Sequence, residues 1–357
     1  MYHCTYLLPI RRALFNADTA EELRCYLNSV RRDGIEIIVV DGSPADVFAA
    51  HARLWAIASR HLPVDRQYGF LNDKVNGIYT GLHRAGSDKI VLADDDIRYR
   101  PDQVVEIAGM LDRFDVVRPQ NFFRFRRDSA YSDATAEPDN SSVRQPLWAK
   151  TEAARMLINR ATLRTGDYPG TCAFRRQMML RSGSYDGDVL FDNEELIRHL
   201  ARAGAQICYA NNLFVEKRPP IFRKWIEQRP RQAYEDFGLR LKTILFAALP
   251  IAAIASAGLL GATGFLATGL AVAAASVFLA FCGRARGRAA QFFPLHICFF
   301  APLWIFERSF STYWAFYWRL RKGGYPFGDR LLQKGIGRDW VEGGRIASRM
   351  VNSRANE

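Results

Sequence analysis

The sequence has few cysteines, and their arrangement indicates neither a metal site nor a disulfide framework. Its 357 residues include six cysteines. They are scattered, with no Cys-x-x-Cys pair and no histidine nearby at metal-ligand spacing, so we expect reduced thiols. The first residues do not have the order of a secretory signal, because the basic pair Arg11 and Arg12 follows a short apolar run instead of preceding it. We therefore expect the first domain to stay in the cytoplasm.

Acidic residues are scarce in the carboxyl-terminal part of the chain. Residues 1–215 hold 28 basic and 28 acidic side chains, whereas residues 216–357 hold 21 and 9. The whole net charge of +12 thus belongs to the second part. With 49% hydrophobic and 24% charged residues, the chain should fold into one large or two ordinary domains. We relate the basic surplus to a membrane surface and expect no nucleic-acid partner.

Charge is absent altogether from Thr243 to Gly283, a run of 41 residues without Asp, Glu, Lys, Arg or His. A spanning helix needs about 20 apolar residues, so this run is long enough for two. Three glycines, Gly258, Gly261 and Gly264, provide a turn, and basic residues flank both ends but not the turn. The positive-inside rule then puts both ends in the cytoplasm. We predict a transmembrane hairpin at 236–290 in a multi-pass protein of the inner membrane.

A second apolar stretch, residues 292–306, is interrupted by two prolines and a histidine and is short for a crossing. Aromatic residues and then basic ones follow it, in the pattern of a helix that lies in the membrane interface. We predict an interfacial or re-entrant segment at 291–322 and a basic cytoplasmic tail at 323–357.

The first 235 residues alternate between apolar strands and amphipathic helices. Residues 4–10, 35–40 and 89–93 have the composition of buried strands, with helical patterns between them. This alternation predicts an α/β domain at 1–235, with a mostly parallel, Rossmann-like sheet covered by helices on both faces. Because ligands bind at the carboxyl ends of such strands, Asp41 and the run Asp94–Asp96 are expected near a ligand.

Three consecutive aspartates, Asp94–Asp96, directly follow the third of these strands. Their mutual repulsion favours a bound cation, and carboxylate oxygens suit Mn²⁺ or Mg²⁺. The alternative is a solvated acidic turn before the helix that begins at Pro101.

Five segments in order resemble the family 2 inverting glycosyltransferases with the GT-A fold. They are EIIVVDGS (36–43), KVNGIYTGLHRAGSDKIVLADDD (74–96), GTCAFRR (170–176), FDNEEL (191–196) and EQRPRQ (227–232). The resemblance covers residues 5–235, and the apolar segments after it are similar to those of the membrane-bound members. It implies the GT-A fold, followed by an α-helical membrane region.

The resemblance implies a donor site for a nucleotide sugar, with a UDP-sugar favoured. Asp41 matches the residue that accepts a hydrogen bond from the nucleobase, Lys74 is a phosphate or base contact, and Asp94 and Asp96 match the DxD pair that holds the metal. Each residue also has a purely structural alternative. Asp41 could be a turn residue, Lys74 could lie on a helix surface, and Asp94 and Asp96 could belong to an acidic turn. The donor-binding set is Pro9, Asp41, Lys74, Gly77, Asp94, Asp95, Gln228, Arg229 and Arg231.

The resemblance also implies an acceptor side and a catalytic base. Gly170, Thr171 and Cys172 match the segment beside the acceptor, although a buried turn explains them equally well. Trp148 could stack on a sugar or lie at the membrane edge.

Inverting transfer needs one base for the proton of the acceptor hydroxyl. The Glu-Asp pair of the relatives is absent, and Asn193, which cannot act as a base, occupies the expected position. We rank Asp192 first, Glu195 second and Glu194 third as the base, while all three could instead complement the helix dipole.

Gln228, Arg229 and Arg231 match most of the QxxRW motif that closes over the donor diphosphate, but Gln232 replaces the tryptophan. Guanidinium groups bind diphosphates strongly. The missing indole argues against processive synthesis. The same basic run could instead face anionic lipid headgroups.

Together these features predict a membrane-anchored, metal-dependent hexosyltransferase that moves one sugar to a hydroxyl of a lipid or lipid-linked saccharide. Ceramide, diacylglycerol and polyprenyl-phosphate carriers all remain open as acceptors. Two alternatives are a processive polysaccharide synthase and a catalytically silent nucleotide-sugar-binding scaffold.

Overall fold

The computed structural model describes residues 3–56, 59–125, 143–168, 170–328 and 330–337. They form two compact units. The described part of the first unit lies within Met1–Asn121 and Pro169–Glu216, and that of the second within Phe122–Tyr168 and Lys217–Gly337. The units therefore interleave along the chain, whereas the boundary predicted at residue 235 is sequential. Residues 126–142 and the end of the predicted tail lie outside the described residues.

The described chain alternates strands and helices up to residue 217 and is mainly helical afterwards. The strands are β1 Cys4–Ile10, β2 Ile35–Asp41, β3 Arg60–Pro63, β4 Lys89–Leu92, β5 Ile97–Arg98, β6 Val116–Phe122, β7 Cys172–Arg175, β8 Ile207–Lys217, β9 Tyr325–Phe327 and β10 Arg330–Leu332. The α-helices are α1 Ala17–Val30, α2 Ala45–Trp55, α3 Asp73–Arg84, α4 Pro101–Met110, α5 Leu147–Thr162, α6 Arg176–Arg181, α7 Asp192–Arg202, α8 Phe222–Glu235, α9 Arg240–Ala285, α10 Ala289–Phe292 and α11 Ala301–Tyr317.

The first unit is built on an eight-stranded sheet in the order β3-β2-β1-β4-β7-β6-β8-β5. Strands β3, β2, β1 and β4 are parallel, and β7 runs antiparallel between β4 and β6. Residues of β1 and β2 are buried along their whole length, as expected for a parallel sheet with helices on both faces. The predicted α/β fold class is confirmed.

The register of the parallel strands brings three chain segments to one edge of the sheet. Ile10 at the end of β1 pairs with Asp41 at the end of β2, and Leu7 pairs with Leu92 near the end of β4. Asp94 follows Leu92 by two residues, so it lies just beyond this edge. The carboxyl edge of the sheet thus carries both acidic strand ends, as the sequence predicts.

Helix α3 packs unusually closely on β1. A Cβ atom added at Gly77 would lie 2.8 Å from Cβ of Pro9, and one added at Gly81 would lie 2.2 Å from Cδ1 of Leu7. These two glycines are four residues apart and face the strand on the same side of the helix. Close approach of this helix to the sheet therefore depends on both.

The second unit is a helical assembly in which α5 and α11 pack against α9, and α11 packs against α8. A 3₁₀ segment, Leu295–Phe300, leads into α11, and a π-helical turn, Trp318–Lys322, ends it. Strands β9 and β10 pair antiparallel as a small hairpin.

Helix α9 reverses direction at Gly261. This residue has φ 64° and ψ −155° inside an otherwise helical segment of 46 residues. The Thr268 hydroxyl donates to the Ser256 hydroxyl at 3.0 Å, whereas a straight helix would separate residues twelve apart by about 18 Å. The two halves of α9 therefore lie side by side.

Among the described residues, α9 is the one helix long and apolar enough to cross a membrane. Its most apolar 18-residue window has a mean hydropathy of 2.2, and 11% of that window is buried inside the protein. Two separate crossings are not supported by this observation, and the predicted multi-pass arrangement stays a prediction.

Candidate active site

Lys74 connects two carboxylates that come from distant parts of the chain. Its Nζ lies 2.6 Å from Oδ1 of Asp94 and 2.9 Å from Oδ2 of Asp192. It also donates to Oδ1 of Asn193 at 2.8 Å, and the Asn193 amide donates to Asp94 at 3.4 Å. The structure thus brings together a predicted donor-binding lysine, a predicted metal ligand and the first-ranked catalytic base.

Burial makes this cluster electrostatically strong. The Lys74 side chain is 19% exposed and that of Asp192 is 8% exposed. Burial alone would lower the pKa of Lys74, but the carboxylates of Asp192 and Asp94 outweigh it and raise that pKa above its usual value. Lys74 is therefore a permanent cation at physiological pH.

Two helix starts hold these side chains in place. The Asn72 side chain caps α3 by accepting from the backbone N–H of Lys74 at 3.1 Å, and its own amide donates to the Val189 carbonyl at 3.0 Å. Val189 lies three residues before α7, whose first residue is Asp192. Asn72 thus ties the first turn of α3 to the segment that leads into α7, which fixes Lys74 opposite Asp192.

The structure separates the three candidate bases. Glu194 pairs with the buried guanidinium of Arg118 at 3.1 Å, and Glu195, only 1% exposed, pairs with Arg202 at 3.2 Å. Of the three, Asp192 is the one that contacts Lys74.

The carboxylates after β4 have the type of ligand atom that binds a divalent cation. Asp94 and Asp96 are half-buried, and their oxygens are the hard ligands that Mn²⁺ and Mg²⁺ prefer. Asp95 instead pairs with Arg12 at 2.6 Å. Among the described residues there is no group of three or more His, Cys, Asp or Glu side chains arranged to hold a metal. The protein would therefore supply one or two carboxylates, and a bound diphosphate and water would complete the shell.

Asp41 is buried and its carboxylate is engaged within the protein. Oδ1 accepts from the Ser43 backbone at 2.9 Å, while Oδ2 lies 2.8 Å from Nδ1 of His51 and 3.1 Å from Nε2 of His61. The carboxyl side chain is 0% exposed. Burial would raise its pKa, but these hydrogen bonds prevail and lower it to about 2. The predicted contact to a nucleobase would require the histidines to move.

Gly77 and Pro9 face each other in the interior, in the close approach of α3 to β1. This contact gives both residues a packing role, whereas the resemblance implies donor contacts.

The acceptor-side residues lie at the start of β7. The Gly170 N–H donates to Oδ1 of Asn121 at 3.1 Å, and Thr171 is 0% exposed. Cys172 pairs in the sheet with Leu92, and Leu92 lies two residues before Asp94 in the sequence. Burial raises the pKa of the Cys172 thiol to about 12, so the group is a neutral thiol. This strand start is therefore close to the carboxylates, and its buried side chains are packed like core residues.

The QxxRW-like residues and Trp148 belong to the second unit. Arg229 is 4% exposed and pairs with Glu152 of α5 at 2.8 Å, while Arg231 pairs with Glu235 at 3.0 Å. Gln232, at the position of the family's tryptophan, accepts from the buried Arg308 at 2.7 Å. These contacts join α8 to α5 and α11. The predicted diphosphate contacts of Gln228, Arg229 and Arg231 remain predictions.

Trp148 is anchored at the beginning of α5. Its indole N–H donates to the Pro220 carbonyl at 2.8 Å, and its ring lies 5.1 Å from that of Phe222. It therefore helps to orient the start of α8.

Sequence reasoning missed four side chains around these groups. They are Asn193, Arg118, His51 and His61. From the sequence, Asn193 is only a residue that cannot act as a base. Its amide can nevertheless accept from Lys74 and donate to Asp94. The two histidines gave no signal, because they are 10 and 20 residues from Asp41 and meet it only in the folded chain.

Part of the chain matches a known family. Residues 13–183 match the family model described as Glycosyl transferase family 2. The match covers just under half of the chain and shows that this part is similar to family 2 glycosyltransferases. The matched segment includes Asp41, Lys74 and the Asp94–Asp96 run, and it ends before Asp192. No curated protein matches the chain.

Two solved structures illustrate what the fold is similar to. The mannosyltransferase PcManGT from Pyrobaculum calidifontis, in complex with GDP-Man and Mn²⁺, is 17% identical, with 87% of each chain covered and a TM-score of 0.47. Glucosyl-3-phosphoglycerate synthase from Mycobacterium tuberculosis, in complex with Mn²⁺, UDP and glucosyl-3-phosphoglycerate, is 17% identical. The match covers 62% of this chain and 74% of that chain, with a TM-score of 0.36.

Proposed function

We propose that this protein transfers one sugar, with inversion, from a nucleotide-sugar donor to a hydroxyl of a lipid or lipid-linked saccharide. The observation that carries the proposal is the contact of Lys74 with both Asp94 and Asp192. It joins a carboxylate of the DxD type to a candidate base at the carboxyl edge of the sheet, where ligands of α/β proteins bind. The family match over residues 13–183 supports a sugar transfer.

Asp94 and Asp96 would hold Mn²⁺ or Mg²⁺ together with the donor diphosphate. When bound, the cation acts as a Lewis acid that stabilises the charge of the departing nucleoside diphosphate. The ammonium of Lys74, already next to Asp94, adds a fixed positive charge at the same edge. We favour a UDP-sugar as the donor.

Asp192 removes the proton of the acceptor hydroxyl. As that proton passes to a carboxylate oxygen, the acceptor oxygen forms its bond to the anomeric carbon from the face opposite the diphosphate, and the bond between that carbon and the diphosphate oxygen breaks. The contact with Lys74 holds the Asp192 carboxylate beside the donor site. Glu195 and Glu194 are weaker candidates because each is paired with an arginine instead of Lys74, which contacts Asp94.

Membrane attachment supports a lipid acceptor. Helix α9 is apolar. Helix α11 carries exposed aromatic side chains, namely Tyr313, Trp314 and Tyr317. An amphiphilic acceptor could then be used without leaving the bilayer. Ceramide, diacylglycerol and polyprenyl-phosphate carriers fit this description equally.

The test is a panel of labelled nucleotide sugars incubated with membranes that contain the protein and Mn²⁺. We expect label from one donor to enter the organic extract, and we expect this transfer to be lost with excess chelator. Label in a high-molecular-weight polymer would favour a processive synthase. Binding of a donor without transfer or hydrolysis would favour a silent scaffold.

A further inference from the structure

Helix α9 projects from the second unit over a defined length. From Ala247 to Ala275 the one buried residue is Gly264, and a Cβ atom there would lie 2.4 Å from the Ser256 carbonyl oxygen of the opposite half. Burial by the rest of the unit begins at Phe246 on the first half and at Ser276 on the second. Each half therefore projects for 14 residues between these points and Gly261.

Helix α11 crosses the base of this projection. Trp304 contacts Phe246 with ring centroids 5.4 Å apart, the Tyr313 hydroxyl donates to the Ala247 carbonyl at 2.6 Å, and Phe316 contacts Phe237 at 5.0 Å. These three residues of α11 span about 18 Å of helix. Their partners all lie at the beginning of α9 or just before it. Helix α11 therefore runs across the hairpin and not along it.

The outer side of α11 is apolar and aromatic. Phe306, Phe310 and Trp314 are 42%, 71% and 54% exposed, and they recur at four-residue spacing along one face. The basic residues Arg319, Arg321 and Lys322 follow in the π-helical turn. This arrangement is typical of a helix that lies in the plane of the membrane interface. Its position next to Phe246 and Ala247 then marks the level at which the projection enters the bilayer.

The projection is too short to cross. Fourteen helical residues rise about 21 Å, whereas the hydrocarbon core is about 30 Å thick. Its end carries Leu259 and Leu260, which are 83% and 68% exposed, and no charged residue, tryptophan or tyrosine of the kind found at a membrane surface.

The turn is also built for surroundings without water. Helical structure continues on both sides of Gly261, so a single residue departs from it. The Thr263 hydroxyl donates to the Leu260 carbonyl at 2.7 Å, and the Ser256 hydroxyl donates to the Ala253 carbonyl at 2.8 Å. Side chains thus satisfy backbone groups near the turn, which in hydrocarbon cannot find water.

We propose that α9 is a re-entrant hairpin that enters the bilayer from one side and ends inside the hydrocarbon core. This inference rests on the membrane attachment included in the proposed function. It replaces the transmembrane hairpin predicted from the sequence, which crosses the bilayer twice, by a hairpin that does not cross it. The end of the hairpin would lie about 9 Å short of the far interface. Both ends of α9, and the basic residues beside them, remain on the same side of the membrane.

The test uses spin labels at two exposed leucines in the full chain reconstituted in lipid vesicles. Leu260→Cys probes the end of the hairpin, and Leu241→Cys, at a residue 82% exposed at the beginning of α9, is the matched control at the base. Both are made in a background with Cys25→Ser and Cys282→Ala, since the other four cysteines are buried. Collision rates with oxygen and with a water-soluble nickel chelate give the depth of each label.

We expect the label at residue 260 to collide with oxygen and not with the chelate, at a depth nearer the bilayer centre than either headgroup layer, and the label at residue 241 to lie at the interface. A label at residue 260 that reports the headgroup layer on the far side would overturn the inference, as would one that reports bulk water. Depth does not depend on turnover. A failure of sugar transfer with the hairpin at this depth would therefore count against the proposed reaction alone.

Discussion

At the scale of single residues, the site depends on one cation placed between two anions. Lys74 contacts Asp94 and Asp192, which are 98 residues apart in the sequence. A buried and a half-buried carboxylate without a cation between them would be costly, so the ammonium permits them to approach one another. The same geometry leaves Asp192 as the acidic residue of α7 that contacts Lys74, at the proposed donor site.

Two of the acidic residues of α7, Asp192 and Glu194, should respond differently to loss of charge. We expect Asp192→Asn to lower kcat by about 10²-fold or more with little change in donor affinity, because a general base contributes on that order. Glu194→Gln should instead destabilise the protein by about 3 kcal/mol, since it leaves the buried Arg118 without its carboxylate. Steady-state kinetics and thermal unfolding of the two variants provide the comparison. Full turnover in Asp192→Asn would move the base to Glu195 or elsewhere.

Asp41 predicts how stability changes in acid. Its pKa of about 2 lies below the ordinary value of 3.8. A depressed pKa means that its contribution to stability is complete above about pH 4 and is lost as the pH falls toward 2. Asp41→Asn should therefore cost about 2 kcal/mol at pH 7 and flatten the acid-unfolding curve between pH 4 and 2. Acid titrations followed by circular dichroism measure this, with the exposed Asp33→Asn as control. An unchanged curve for Asp41→Asn would disprove the linkage.

At the scale of elements, the position of α3 controls the position of Lys74. Gly77 lies one turn after Lys74, and its contact is with Pro9, whose ring cannot rotate away. An added methyl group must therefore move the helix from the strand. This coupling links a packing detail to the charge cluster.

Gly77→Ala tests that coupling. We expect it to destabilise the protein by about 1–3 kcal/mol through overpacking and to reduce transfer by displacing Lys74. Gly109→Ala in α4 is the matched control, because nothing lies within 4 Å of the added atom. That variant should be neutral or more stable by up to about 1 kcal/mol. Thermal unfolding and initial rates are the measurements, and equal behaviour of the two variants would contradict the packing account.

Some elements of the fold could be predicted from the sequence alone and others could not. Apolar strands ending in aspartate predicted the parallel sheet and its acidic edge, because burial and strand polarity are local in sequence. Strand β3, Arg60–Pro63, was missed because its four residues are at most half-buried at the sheet edge and carry no apolar pattern. The Asp41 histidines, the Asn193 bridge and the pairing of Arg229 with Glu152 arise from tertiary contacts, which no spacing encodes.

At the scale of the whole molecule, charge and apolar surface are divided between the two units. The first unit carries the acidic edge with Lys74, and the second carries the basic surplus, the apolar α9 and the exposed aromatic face of α11. The second unit also contains a buried charge network, in which Arg308 contacts Asp236 at 3.0 Å and Lys242 contacts the same carboxylate at 2.9 Å. These pairs fix the beginning of α9 to α11, where the membrane interface is proposed.

The central claim is that the carboxylates after β4 bind a nucleoside diphosphate through a divalent cation. It is tested most directly by isothermal titration of the full-length protein in lipid nanodiscs with UDP and with GDP, with and without Mn²⁺. Asp94→Asn and Asp96→Asn are compared with Asp102→Asn, whose carboxyl side chain is 61% exposed in α4. We predict binding of at least one nucleotide that requires Mn²⁺, is lost in the first two variants and is kept in the third. Equal binding without Mn²⁺, or binding unaffected by both substitutions, would contradict the account.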